Sequence, residues 1–184
     1  MNHTGTQKLE TARLILRRFV PEDAAAMYAN WASDSEVTRY MTWPPHASAE
    51  VTGQLLALWI SAYEKPDSYN WVLELKATGE IIGNLSVVRI NESIREAELG
   101  WCMSRRFWGQ GYMPEAARAV VDYLFDVAGF DRVCARHDAE NAKSGRVMQK
   151  IGMTREGLLR KAGRNNRGVV DEVIYAILKT DPRG

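Results

Sequence analysis

The chain is poor in the residues that staple, ligate or anchor a protein. Only two cysteines, Cys102 and Cys134, occur in 184 residues. Each lies in an apolar, strand-like run without the paired spacing of a zinc site, so both read as buried free thiols. The three histidines, His3, His46 and His137, are scattered and have no partner at i+4. No metal is expected. No run approaches the ~18 apolar residues of a spanning helix, and the opening MNHTGTQKLE has no apolar signal-peptide core. The expectation is a cytoplasmic protein that does not engage a membrane. Charge of one sign is missing too, since 24 Lys and Arg stand against 23 Asp and Glu. No global field draws the chain to nucleic acid, and any anion site must be local. Repeats, low-complexity tracts and Pro/Ser linkers are absent, so residues 1–184 read as one domain, long enough to bury a core unaided.

What is present is an ordinary globular composition, 46% hydrophobic and 26% charged. Residues 12–19 read as a strand, and Pro21, Glu22 and Asp23 open a helix to about Ala32, its early acids suiting the dipole. Ser48 can cap a helix over 48–64. Segments 71–76 and 80–90 flank Ala77-Thr78-Gly79 as a hairpin, and EAELGWCM, 96–103, is a further strand. Ala117, Val121, Leu124 and Ala128 fall at helical spacing in 114–129, which ends at Gly129. RVCARHD, 132–138, reads as strand, and Asn141 begins a short helix ending at Gly152. Segments 154–161 and 169–178 pair across the turn-rich AGRNNRG. The fold expected is mixed α+β, a sheet with helices packed against it.

Chemistry concentrates in Arg106-Phe107-Trp108-Gly109-Gln110-Gly111-Tyr112-Met113-Pro114-Glu115, between a strand and the longest helix. Two near-adjacent glycines let backbone N–H groups converge, and the following helix N-terminus adds positive potential, so a pyrophosphate fits there. There is no G-K-[ST] and no third glycine of G-x-G-x-x-G, which removes a P-loop nucleotidase and a dinucleotide dehydrogenase. A plain strand-to-helix turn remains the alternative.

Arg106-x-x-Gly109-x-Gly111 matches the [RQ]-x-x-G-x-[GA] signature of the GNAT superfamily of N-acetyltransferases. The resemblance extends from ETARLILRRF through AELGWCMSRRFWGQGYMPEA and ENAKSGRVMQKIGMTREG to DEVIYAIL. It looks closest to the RimJ/RimL-like group of ribosomal-protein alanine N-acetyltransferases. That resemblance implies a mostly antiparallel sheet of about seven strands, with splayed central strands and helices on both faces. It also implies acetyl-CoA as cosubstrate, without metal. The pyrophosphate would lie on Gly109, Gln110, Gly111, Tyr112 and Met113, with Arg106 beside it or merely solvated. The pantetheine arm would lie along Trp101, Cys102 and Met103.

Acyl transfer to an amine needs a proton removed, a developing oxyanion stabilised and the thiolate protonated. Glu98 lies in an apolar run where desolvation would raise its basicity, though a strand carboxylate also serves as a plain ion-pair partner. Asp171 is a second acid. Ser144 shares a helical stripe with Val147, Met148 and Ile151 and so faces inward. The family's tyrosine acid is replaced here by Met148, leaving Ser144 as thiolate donor or sulfur contact. Asn141 corresponds to the pantetheine-contacting asparagine and is equally an N-cap. A backbone N–H near Trp101 or Cys102 would face the oxyanion. Trp31, Tyr40, Met41, Trp43 and His46 concentrate where related enzymes wall the acceptor cleft, and aromatics there also serve as packing. The expected function is direct acetyl transfer to a peptide N-terminus or small amine, by a monomer or homodimer that binds no nucleic acid. An acyl-CoA-binding sensor without efficient catalysis is the competing reading.

Overall fold

The computed structural model describes residues 1–182. The order is β1 (Leu9–Glu10), β2 (Leu14–Arg17), α1 (Asp23–Met27), a π-helical turn (Tyr28–Ala32), α2 (Ser35–Thr38) and α3 (Ala49–Ala62), then β3 (Asn70–Leu75), β4 (Ile81–Asn91) and β5 (Glu96–Met103). There follow α4 (Tyr112–Tyr123), a π-turn (Leu124–Ala128), β6 (Arg132–Asp138), α5 (Ala142–Lys150), β7 (Thr154–Asn165) and β8 (Gly168–Leu178).

The strands make one eight-stranded sheet in the order β1-β2-β3-β4-β5-β6-β8-β7. Every neighbouring pair is antiparallel except β5 with β6. That parallel pair is brief. Glu96–Leu99 match Arg132–Ala135, after which β5 runs on to Met103 and β6 to Asp138 without pairing. The sheet is therefore split at its centre, as the family resemblance implied.

Each face is closed by helices. α4 turns Ala116, Ala117, Val120 and Val121 into the sheet, where they meet Leu85, Leu99, Val133 and Met148 of the larger core. Their three- and four-residue spacing is what buries one stripe. Pro114 costs nothing in the first turn, where N–H groups lack helical acceptors, and Gly129 ends the helix at φ 78°. On the opposite face α1 and α3 cover a smaller core of Phe19, Met27, Trp31, Leu56, Val72, Ile81 and Cys102.

Two short elements, β1 and α2, were not expected, and β1 raises the strand count from about seven to eight. The last hairpin also differs. Its strands run to Asn165 and from Gly168, leaving a two-residue turn, and the Gly- and Asn-rich stretch expected as loop instead holds an irregularity between Leu159 and Gly163. A bulge and a turn draw on the same residues. Among the described residues no helix is long and apolar enough to cross a membrane.

Candidate active site

The parting of β5 from β6 leaves backbone groups of β5 facing a gap. The Ser104 N–H donates to the Ile82 carbonyl, which makes Gly83–Met103 a non-hydrogen-bonded pair of the β4–β5 ladder. By alternation, Cys102 bonds β4 through its backbone, while Trp101 and Met103 turn theirs toward β6. The Met103 carbonyl accepts from the Trp108 indole at 2.8 Å. Of the two N–H groups considered for an oxyanion, Trp101's faces the gap and Cys102's belongs to the ladder.

Two cavities meet at this split. One, of about 620 Å³, runs along Trp101, Cys102 and Met103 to Gly109, Gly111, Tyr112 and Met113. The other, of about 560 Å³, is walled by Trp43 and Trp59 and floored by Asn70, Ser86, Glu98 and Arg136. Tyr40, Met41, Trp101, Cys102, Asn141 and Ser144 line both, and so mark the junction.

At the far end of the first cavity Gly109 and Gly111 take φ values of 79° and 82°, left-handed conformations that a side chain resists. A Cβ built on Gly109 meets nothing within 4 Å. Gly111 is the N-cap of α4, so a curled backbone and a helix N-terminus stand together, as a phosphate cradle requires. Arg13 pins this loop. Its guanidinium donates to the Gln110 carbonyl at 3.1 Å, lies 4.1 Å from the Tyr112 ring centre and pairs with Glu115 at 2.6 Å. Nearly a hundred residues separate Arg13 from the loop, and no local pattern announces it. Lys143 Nζ stands 3.9 Å from the centre of the Trp108 ring at the side of the same cavity.

Some expected site residues lie elsewhere. Arg106 does not line the cavity. The 3₁₀ turn Arg105–Phe107 sends its guanidinium to Glu80 and, at 3.4 Å, to Asn30. Gln110 turns its side chain onto the Arg106 carbonyl at 2.8 Å, leaving backbone as its means of contact. Trp31 is completely buried in the smaller core, because the π-turn rotates it inward, and it lines neither cavity. His46 is likewise off the cleft, bonded to Thr52 at 2.8 Å. Tyr40 and Trp43 do line the second cavity.

Glu98 reaches that cavity, but not in the apolar isolation expected of it. Its carboxylate lies 2.8 Å from Arg89 and 3.5 Å from Arg136, and Arg136 also approaches Glu172 at 3.6 Å. The bracketing arginines belong to β4 and β6, the strands on either side of β5. Asp171 does not line it. Its carboxylate accepts the Lys161 N–H at 2.7 Å, and Glu172 is the acidic residue of β8 that lines the cavity. Asn141 is the N-cap of α5, accepting the Ser144 N–H at 3.4 Å while its amide donates to the Ser144 hydroxyl at 3.1 Å. Burial pushes the Cys102 thiol up to about 12, the Asn84 backbone offsetting only part of this, and the thiol donates to the Asn84 side-chain oxygen at 2.8 Å. Such a thiol is no nucleophile near neutrality.

The model of the acetyltransferase (GNAT) domain family matches residues 13–154. The chain belongs to the GNAT acetyltransferase family. It is 32% identical over 171 residues, 93% of its length and 96% of the other's, to the Bacillus subtilis protein named uncharacterized N-acetyltransferase YoaA. A GNAT-family acetyltransferase structure from Bacillus anthracis superposes with a TM-score of 0.83 at 28% identity, covering 95% of this chain and all of that one. The self-immunity acetyltransferase MccE, solved in complex with acetyl-CoA and AMP, gives a TM-score of 0.83 at 20% identity, over 91% of this chain and 93% of that one, a likeness of fold. As a family member the chain is an N-acetyltransferase with acetyl-CoA as cosubstrate. The loop, the gap and the cavity between them fit that cosubstrate: an open cradle at Gly109 for phosphate, and an unclaimed strand edge at Trp101 for an amide-bearing arm. No group of three or more His, Cys, Asp or Glu side chains able to hold a metal occurs among the described residues.

Proposed function

We propose that this acetyltransferase acts in the cytoplasm by direct transfer to a primary amine, either a protein N-terminus or a small amine, which enters through the Trp43 cavity. The observation that carries the reading is the junction. Acetyl-CoA supplies an activated thioester, and only at the six shared residues can a thioester in one cavity meet an amine in the other. In balance, the amine nitrogen bonds the acyl carbon and loses one proton, the carbon–sulfur bond breaks, and the thiolate gains one proton.

The chain's residues divide this work. The Trp101 N–H faces the gap, where negative charge on the acyl oxygen would develop. Glu98, flanked by Arg89 and Arg136, presents a carboxylate that attracts an ammonium and receives its proton through water. Ser144, held by the Asn141 amide, stands at the junction to protonate or hydrogen-bond the sulfur. The aromatic wall of Tyr40 and Trp43 suits a cationic acceptor.

Free thiol release should be followed with acetyl-CoA and three probes: spermidine, a peptide beginning with alanine and a peptide beginning with serine. Turnover of any of them is expected. Tight acetyl-CoA binding without release above buffer hydrolysis, for these and for further amines, would instead favour a sensor.

A further inference from the structure

The turn between β7 and β8 grips both walls of the junction at once. On one side the Asn166 N–H donates to the Met41 carbonyl at 3.1 Å, and its side-chain amide donates to the carbonyls of Thr38 and Trp43, each at 2.8 Å. That is three bonds from one residue to the segment carrying Tyr40, Met41 and Trp43. On the other side Arg167 meets the Asp138 carboxylate at 3.0 and 3.2 Å and Glu140 at 2.5 Å, while Asn165 donates to Asp138 at 2.8 Å. Asp138 in turn caps the loop before α5, accepting the Glu140 N–H at 2.9 Å, and the Asn141 N–H donates to its carbonyl at 2.7 Å. Burial alone would push the Asp138 carboxyl up. Asn165, the Glu140 N–H and Arg167 together outweigh it and hold the group below its ordinary range, so the grip is on an anion. Arg167 also lies 5.7 Å from the centre of the Tyr40 ring.

We propose that the β7–β8 turn is a latch that fixes the distance across the junction, with Asn166 and Arg167 as positioning residues for the two cosubstrates. Asn166 sets the acceptor wall through the backbone of Thr38–Trp43. Arg167 sets Asn141 and Ser144 through Asp138. Neither side chain need touch a reacting atom. The proposal rests on the two-cavity reading of the transferase, and it divides the two effects by hand of the latch. Loss of Asn166's amide loosens the acceptor, whereas loss of Arg167 displaces the residues beside the sulfur.

The test uses the full chain with Asn166→Asp and Asn166→Ala, which both remove the amide donors, and with Arg167→Ala. Hydrogen exchange needs no acceptor. Peptides covering 38–46 should exchange several-fold faster in both Asn166 variants, with α4 unchanged, and those covering 138–145 faster in Arg167→Ala. Kinetics follow with whichever of spermidine and the alanine and serine peptides the wild type acetylates. Two lost hydrogen bonds predict an acceptor KM raised roughly five- to tenfold in the Asn166 variants. Their acetyl-CoA Kd, by calorimetry, should stay within about twofold, and Arg167→Ala should lower kcat more than it raises acceptor KM. Unchanged exchange in 38–46, or acceptor KM and kcat both unchanged in folded Asn166 variants, overturns the latch. A wild type that acetylates none of these and no further amine, while binding acetyl-CoA tightly, counts against the two-cavity transfer instead, and the exchange result still decides the latch.

Discussion

A carboxylate held between two guanidiniums is a different instrument from a carboxylate desolvated among apolar side chains. Glu98 is of the first kind. Its charge and its place at the floor of the second cavity suit it to gathering an ammonium and relaying a proton through water. Replacing it by glutamine keeps the shape and removes the charge. Glu98→Gln should lower kcat by about 10²-fold, with acetyl-CoA affinity unchanged by calorimetry. Full kcat in the folded variant would transfer the role to Glu172 or to water. At this scale the sequence was legible where a residue type and its place at the start of a helix sufficed, as at Gly109, Gly111 and Asn141. It was not where a side chain's direction decided, as at Trp31 and Arg106. Arg106 belongs to a recognisable signature, yet its partner Glu80 sits on a turn that only the folded sheet brings near.

Among the elements, the loop between β5 and α4 carries the firmest expectation. Both glycines were singled out for their freedom, and both take left-handed φ. Gly111 is the more constrained, since a Cβ there would come within 3.4 Å of the Arg13 guanidinium as well as forcing a strained backbone. Gly111→Val should lose at least about tenfold in CoA affinity, read by calorimetry on protein whose circular dichroism shows it folded; about 1.4 kcal/mol of lost binding suffices, from a side chain in the phosphate's approach or a loop shifted out of its left-handed turn. Wild-type affinity in such a variant would mean that the cradle is not there. The β5 and β6 boundaries followed from their apolar runs. The β7–β8 hairpin was less legible, because a bulge and a turn are written with the same Gly, Asn and Arg. The latch was hidden too, because the partners of Asn166 are carbonyl groups, which carry no letter in a sequence, and the carboxylates that meet Arg167 lie far from it along the chain.

For the whole molecule, the sequence's scarcity of cysteine becomes a means of watching the fold. Burial pushes both Cys102 and Cys134 up to about 12, and neither side chain is exposed. Below that range the thiolate is scarce, and reaction with a disulfide reagent requires opening. At pH 8 the native protein should show almost no labelling over minutes, and both thiols should react at once in denaturant. Rapid native labelling would place one of them outside the core. It follows that thiol release during turnover can be read against a silent protein background. The split between β5 and β6 has a thermodynamic side as well. A sheet that leaves its central strand edge unsatisfied is, in hydrogen-bond terms, one strand short of complete. On the proposed placement a cosubstrate arm lying there would act as that strand, so its binding energy would also be folding energy, and occupancy at about a hundred times Kd would add about 2.7 kcal/mol to the native state. The enzyme at rest, saturated with its acyl donor, is then a more stable protein than the same chain between turnovers.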